Sequence, residues 1–403
     1  MAKSDKQKIW IVLDHPMQFA TALAIASHWG REDFVLNLLI SPHPYWRKVD
    51  INLYRYQFDE VIYLERPDYT WHPIRALQMI LRIWRLKRRI ARLNIKLDDI
   101  IIGLSVFHYL ENMVLSMQSR NRKIAIMPSV VYQESINKID KSIYRGTLEG
   151  WLASWLVEPI AGLHRTYCMK ERLHPERYWR IRYKESLPDI YHKVVVLGTI
   201  SDGGYQLGNS IITMPYPYVL ALGETKEENF DNARKSQKVV FFGNSFSEGY
   251  FGLKPEVYAH YVNQCLSFLR EKYASTHKLV YRPHPTESDE IKLLNLDQFD
   301  IEDDGMLSEL YFYKNFADIY AVFSVGSTSS RTALHFFINA YAFINTFPFD
   351  EATKNYFRLE MGSVPDDFYI RDFSRTPKRY IKMKDADAAI KRCQDVLDLV
   401  LQN

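Results

Sequence analysis

Cysteine is scarce in this chain. The 403 residues contain three, Cys168, Cys265 and Cys393, which are far apart, odd in number and never form a CxxC pair. That argues against a disulfide framework, supplies no zinc-ligand pattern and suits a reducing compartment. Long apolar runs are also lacking. None approaches the roughly 18 residues that a membrane-crossing helix needs, and the opening MAKSDKQKIWIVLD has no apolar signal-peptide core before its first strand. The expectation is a cytoplasmic protein, peripheral to an inner membrane at most. Excess charge of one sign is missing too. The 52 basic and 48 acidic side chains leave a net +4, too little over this length to announce nucleic acid, and no nucleic-acid partner is expected.

What is present is apolar and aromatic: 47% hydrophobic and 14% aromatic residues, enough for sizeable cores but spread over more chain than one core usually serves. The first half alternates strand and helix signals. KIWIVLD, FVLNLLIS, EVIYLE, DDIIIGLS, KIAIMPS and HKVVVLGTI read as strands. PMQFATALAIASHW and a basic segment over 74–93 read as helices, and residues 146–164 as a helix broken near Pro159. Residues 201–236 read as an irregular connection. A second alternating unit then runs from KVVFFGNS through KLVYRPHP, a short FDIEDD strand and IYAVFSVGS to AYAFINTFP, before a last helix. The fold class is α/β, two Rossmann-like domains facing one cleft, with boundaries at 1–236 and 237–375 and a closing helix over 376–403.

Three loops fall where strands of the second unit should end, the place at which open α/β sheets bind ligands. The first carries Gly243 and Asn244. The second is Arg282-Pro283-His284-Pro285, in which the prolines fix the backbone and hold His284 in one extended direction. The third, Ser324, Gly326, Ser327, Thr328, Ser329 and Ser330, leads into an apolar helix. Glycine and hydroxyls at a helix start present N–H and O–H donors to an anion, and phosphate is the economical choice. Neither a Walker motif nor GxGxxG nor GxSxG fits there. His284 beside such a turn has the chemistry to donate a hydrogen bond or a proton to a departing phosphate. Other histidine-proline pairs occur at His15, His43, His72 and His174, so the dipeptide speaks only in company with the serine turn.

A histidine-proline pair ending one strand and a serine-rich turn ending a later one resemble the B-type glycosyltransferases that use CMP-activated 2-keto-acid sugars. Within that group the chain is most similar to the retaining β-Kdo transferases of capsule and lipopolysaccharide O-antigen assembly. The resemblance implies a CMP-β-Kdo donor, a lipid-linked polysaccharide acceptor, and no metal or other cofactor. It implies that His284 and the Ser327 to Ser330 turn contact phosphate, with Gly243, Asn244 and Arg282 in the same donor site, and that Glu302 approaches ribose or cytosine. It also implies a catalytic Glu158 and a nucleophilic aspartate just before the second domain. Retention then follows from attack by a protein carboxylate, as in retaining glycosidases. Here the chain departs from the pattern, because position 232 is asparagine beside Asp231. Either Asp231 is the nucleophile, or Asn232 replaces an aspartate and stalls catalysis.

Two further expectations complete the reading. Residues 74–93 form a basic amphipathic helix, suited either to a solvated face or to an anionic membrane surface. Asp385-Ala386-Asp387 matches DxD, but on the last helix it reads as a solvated face, so no metal site is expected there. The alternatives are an inverting CMP-sialic acid transferase, a non-catalytic CMP- or glycan-binding module, and a sugar-nucleotide epimerase of similar fold.

Overall fold

The structure is a computed structural model that describes residues 6–13, 18–41, 51–64, 73–104, 109–118, 120–128, 191–198, 211–220, 237–284, 286–287, 289–361, 364–381 and 383–402. The chain folds as two compact units, Met1–Pro217 with Cys393–Asn403, and Tyr218–Arg392. The connection read over 201–236 lies outside the described residues except for 211–220.

The first unit holds a seven-stranded parallel sheet. Its strands are β1 (Gln7–Leu13), β2 (Phe34–Ile40), β3 (Glu60–Tyr63), β4 (Ile100–Gly103), β5 (Arg122–Pro128), β6 (Lys193–Leu197) and β7 (Ile211–Met214), in the order β3-β2-β1-β4-β5-β6-β7. β1 is central, with Ile11 in register with Leu38 of β2 and Ile102 of β4. Its run of unbroken apolar residues is what a strand covered on both faces requires. The described helices are α1 (Phe19–Asp33), α2 (Pro73–Arg92) and α3 (Tyr109–Met117). Two of these elements escape the sequence reading. β7 comprises only IITM and, among the described residues, pairs with β6 alone, in a segment read as irregular. α3 occupies the stretch between two strong strand signals.

The second unit is a five-stranded parallel sheet of β8 (Lys238–Phe242), β9 (Lys278–Arg282), β10 (Phe299–Ile301), β11 (Ile319–Ser324) and β12 (Asn339–Ala342), ordered β10-β9-β8-β11-β12. Its helices are α4 (Pro255–Tyr273), α5 (Ser308–Asn315), α6 (Thr328–His335) and α7 (Glu351–Met361). The core is aromatic: Phe241, Phe323 and Phe343 are buried together, with Phe241 stacked on Tyr281 and Phe323 on Tyr341. Each such ring removed from water stabilises the fold by about 1.5–3 kcal/mol.

The last helix, α8 (Met383–Leu401), belongs to both units. Its end is fixed to the first unit by cations at the starts of two strands. Arg122 donates to the carbonyls of Leu401 at 2.9 Å and Val400 at 2.6 Å, and Lys193 to those of Leu399 at 2.6 Å and Gln402 at 2.7 Å. These are the orphan carbonyls of a helix C-terminus, where positive charge is favoured. Asp385 and Asp387 are exposed on the first turns of α8. Among the described residues, no helix is long and apolar enough to cross a membrane.

Candidate functional site

In the second sheet the chain leaves β8 toward β9 and β10 and later returns on the opposite side as β11 and β12. Loops leaving the carboxyl ends of β8 and β11 therefore diverge, and the crevice they open is where such sheets bind ligands. Because β9, β8 and β11 are adjacent, the His284, Gly243 and Ser327 loops emerge side by side. The structure thus brings together the three loops picked out in the sequence.

The turn after β11 is a framework of hydroxyls. Ser324 Oγ accepts the N–H of Ser327 at 3.0 Å and lies 2.8 Å from Ser330 Oγ, and both side chains are buried. Ser327 caps α6, its Oγ accepting the N–H of Ser329 at 3.2 Å. Ser324, Ser327 and Ser330 therefore build the turn rather than fill it. Thr328 is exposed and Ser329 half-buried; their hydroxyls are the ones the turn presents outward at the positive end of α6. Gly326 is a close approach, since a Cβ there would come within 2.7 Å of the Phe357 ring on α7.

The loop after β9 is organised by a residue that the sequence reading did not single out. Glu287 accepts the peptide N–H of His284 at 2.9 Å on Oε2 and the Tyr281 hydroxyl at 2.6 Å on Oε1. Burial pushes its carboxyl up to about 7, Glu290 and Asp303 add to the rise, and the two donated hydrogen bonds restrain it. Burial also raises the Tyr281 hydroxyl well above its usual range, with Glu287 adding to the effect. Gly243 lies against this pair: a Cβ there would sit 2.4 Å from both Glu287 Oε2 and Tyr281 Oη. His284 itself is exposed. Its Nδ1 accepts the Thr286 N–H at 3.3 Å and lies 2.8 Å from Thr286 Oγ1. With Nδ1 an acceptor, the neutral ring carries its proton on Nε2.

Asn244, Arg282 and Glu302 are engaged within the unit. Asn244 is buried and donates to Tyr258 Oη at 3.1 Å. The Arg282 guanidinium is buried 3.8 Å from the Tyr311 ring centroid and donates to Asp304 at 2.8 Å and the Met306 carbonyl at 2.9 Å. Burial works against the Asp304 carboxylate, but hydrogen bonds from Arg282 and the Met306 N–H outweigh it and hold the group below its usual range. Glu302 accepts from Lys238 and Tyr311, both at 2.8 Å. Arg282 and Glu302 thus brace the β10–α5 loop beside the His284 loop.

Glu158, Asp231 and Asn232 lie outside the described residues, and of the three only Glu158 falls in the chain range of the first unit. What the structure adds there is Glu111, on the first turn of α3 and fully buried, whose Oε1 accepts the Tyr191 hydroxyl at 3.0 Å. It occupies the space a side chain on Gly103 would need, at the carboxyl end of β4. No sequence signal marked it, because α3 itself was not read.

No protein-family model matches the chain, and no curated protein matches it in sequence. Solved structures do. UDP-GlcNAc 2-epimerase from Methanocaldococcus jannaschii superposes with a TM-score of 0.52 at 10% identity, over 98% of this chain and 99% of that one. The chain has the GT-B architecture of two Rossmann-like domains. MurG from Acinetobacter baumannii (TM-score 0.43, 10% identity, 98% and 99% covered) and Arabidopsis thaliana UGT89C1 complexed with UDP (0.46, 13%, 99% and 100%) are further structures similar to it. At these identities the likeness concerns the fold, and the chemistry has to be read from the site.

Proposed function

We propose that the chain is a retaining glycosyltransferase that moves Kdo from CMP-β-Kdo to a lipid-linked bacterial surface glycan. The observation that carries this reading is the set of loops at the carboxyl ends of the adjacent strands β9, β8 and β11, with the exposed His284 after β9 and the Thr328 and Ser329 hydroxyls at the start of α6 after β11. Such a row matches a phosphate that must be bound and then released as CMP. Gly243 keeps the strand end open to close approach, and Arg282 and Glu302 hold the neighbouring loop that would flank ribose and base.

In the reaction, the C2–O bond of the donor breaks and CMP departs toward His284, while a carboxylate of the 231–232 segment forms an ester with C2. The acceptor hydroxyl then attacks C2, its proton passes to Glu158, and the ester is released with a second inversion. No metal takes part in this scheme. The acceptor's lipid places the reaction at a membrane surface, which α2, with its arginines and exposed Trp84, is suited to approach.

Incubation with CMP-β-Kdo or CMP-sialic acid, reading CMP release and the product anomer by NMR, tests the donor and the stereochemistry. Mass spectrometry of the donor-incubated chain and of Asn232→Asp locates the nucleophile. An adduct on the unaltered chain assigns Asp231, and an adduct only with aspartate at 232 assigns that position. Failure of both proteins to bind CMP would end the reading.

A further inference from the structure

The phosphate end of the donor site as read from the sequence has a histidine and hydroxyls but no carboxyl, and a carboxyl is what the structure puts beneath it. Glu287 lies on the His284 loop and reaches Gly243 at the end of β8. Its Oε2 accepts the peptide N–H of His284 at 2.9 Å and would lie 2.4 Å from a Cβ on Gly243. A phosphate bound by His284 and the start of α6 therefore arrives beside a carboxyl already crowded by acids. The groups that face Glu287 are Tyr281 on β9, Tyr258 on α4, Glu290 on the turn that follows, Asp303 after β10, and His284 and Thr286 on its own loop. The nearest arginine on this strand end, Arg282, donates from Nη2 to Asp304 and the Met306 carbonyl, while its buried Nη1 finds no partner among the described residues.

A second anion brought near a carboxylate in this setting favours its protonated form. Protonation costs the loop little. A neutral Glu287 still accepts the His284 N–H on one oxygen and turns its own O–H toward the Tyr281 oxygen, which can accept as readily as donate. On this basis, and resting on the donor reading above, we propose that Glu287 is the positioning residue of the phosphate site and holds the His284 loop as a neutral acid when nucleotide is bound, so that CMP binding takes up a proton. The carboxyl, pushed up to about 7 before any ligand arrives, makes neutral pH the range in which the uptake is visible.

Calorimetric titration of the full chain with CMP at pH 7.5, in buffers of different ionisation enthalpy, measures that proton directly and needs no variant. The expected result is net uptake of a fraction of a proton per CMP, and an affinity that falls with rising pH by up to about tenfold per unit. Glu287→Gln keeps the shape and the neutral state, so it should bind CMP with no Glu-linked uptake and with a flatter pH dependence. Tyr281→Phe removes a hydrogen bond that restrains the carboxyl, so the uptake maximum should move to higher pH. CMP binding without uptake, or with uptake that persists unchanged in Glu287→Gln, overturns the inference and leaves the donor reading standing. Absence of CMP binding to all three proteins overturns both.

Discussion

The two Rossmann sheets share a strand order outward from their first strand, and both use a glutamate to fill the space beside a glycine at a strand's carboxyl end, yet they do so to different ends. In the first unit Gly103 ends β4 and Glu111 lies against it from α3, fully buried and tied to Tyr191. In the second, Gly243 follows β8 and Glu287 reaches it from a loop, tied to Tyr281 and to the backbone of an exposed histidine. The positions fall on opposite strands of the switch point. A glutamate on a helix has its direction set by the helix and serves packing. A glutamate on a loop sets the direction of its neighbours, and a change in its charge is transmitted to whatever they bind.

The glycines give the strongest test of that contrast. A Cβ on Gly103 would fall 1.7 Å from Glu111 Oε1, and one on Gly243 2.4 Å from two oxygens, both inside any real contact. Gly103→Ala should destabilise by about 3 kcal/mol and Gly243→Ala by about 2 kcal/mol, read as shifts in urea midpoint. CMP affinity should part them the other way. Gly243→Ala should weaken it about tenfold, a loss of about 1.4 kcal/mol, and Gly103→Ala should leave it unchanged. Equal loss of affinity in both would break the comparison.

Next in size is a pH effect confined to the second unit. The folded-state value of Glu287 lies above its ordinary 4.5, at about 7. The folded chain therefore holds a proton that the unfolded chain releases, and this contribution to stability is complete below 4.5 and lost as pH rises to about 7. Allowing for the part of the side chain that meets solvent, the loss is on the order of 2 kcal/mol. Chemical denaturation at pH 5 and pH 7.5 should show it in the wild type and show a smaller pH dependence in Glu287→Gln.

The sequence made the loops of the second unit visible and left their internal partners hidden, and the reason is distance along the chain. Prolines, glycines and serines punctuate the ends of β9, β8 and β11 strongly enough for all three loops to be placed. Glu287 stands three residues after His284, but its meaning comes from Gly243, which reaches it only because β8 and β9 pair in parallel. Glu302 carries a residue type that suits a ribose hydroxyl, and nothing local reveals Lys238, 64 residues earlier, as its partner. β7 was unreadable for another reason: four residues next to Pro215 make too short a run to show a period. The carboxylates of the proposed reaction, Glu158 with Asp231 or Asn232, rest on the sequence alone.

A smaller effect separates holding the ligand from building the turn. His284 is exposed, so His284→Ala should leave the urea midpoint in place and weaken CMP binding about tenfold through loss of one charge-assisted hydrogen bond. Ser327→Ala should do the reverse in emphasis, costing about 1 kcal/mol of stability through the lost cap. Thr328→Ala, at an exposed position that caps nothing, should lower affinity severalfold with no change in midpoint.

The weakest expected effect concerns the outer helices, where the two units differ again. α4 mixes charge along its length, with Glu256, Arg270, Glu271 and Lys272, whereas α2 carries basic residues and no acid. On α2, Leu81 and Trp84 are about half exposed, and the Arg88 guanidinium lies 3.8 Å from the Trp84 ring centroid. Isolated exposed apolar residues need no explanation, but a tryptophan set among arginines is the composition that binds anionic interfaces. Each arginine near such a surface is worth about 1 kcal/mol, so Arg85→Gln and Arg88→Gln should each weaken binding to phosphatidylglycerol-rich vesicles about fivefold, and Trp84→Ala by a similar factor. Cosedimentation at low and high salt measures this. Binding that survives in neutral vesicles, or is indifferent to all three substitutions, would reduce α2 to a solvated face and remove this last difference between the units.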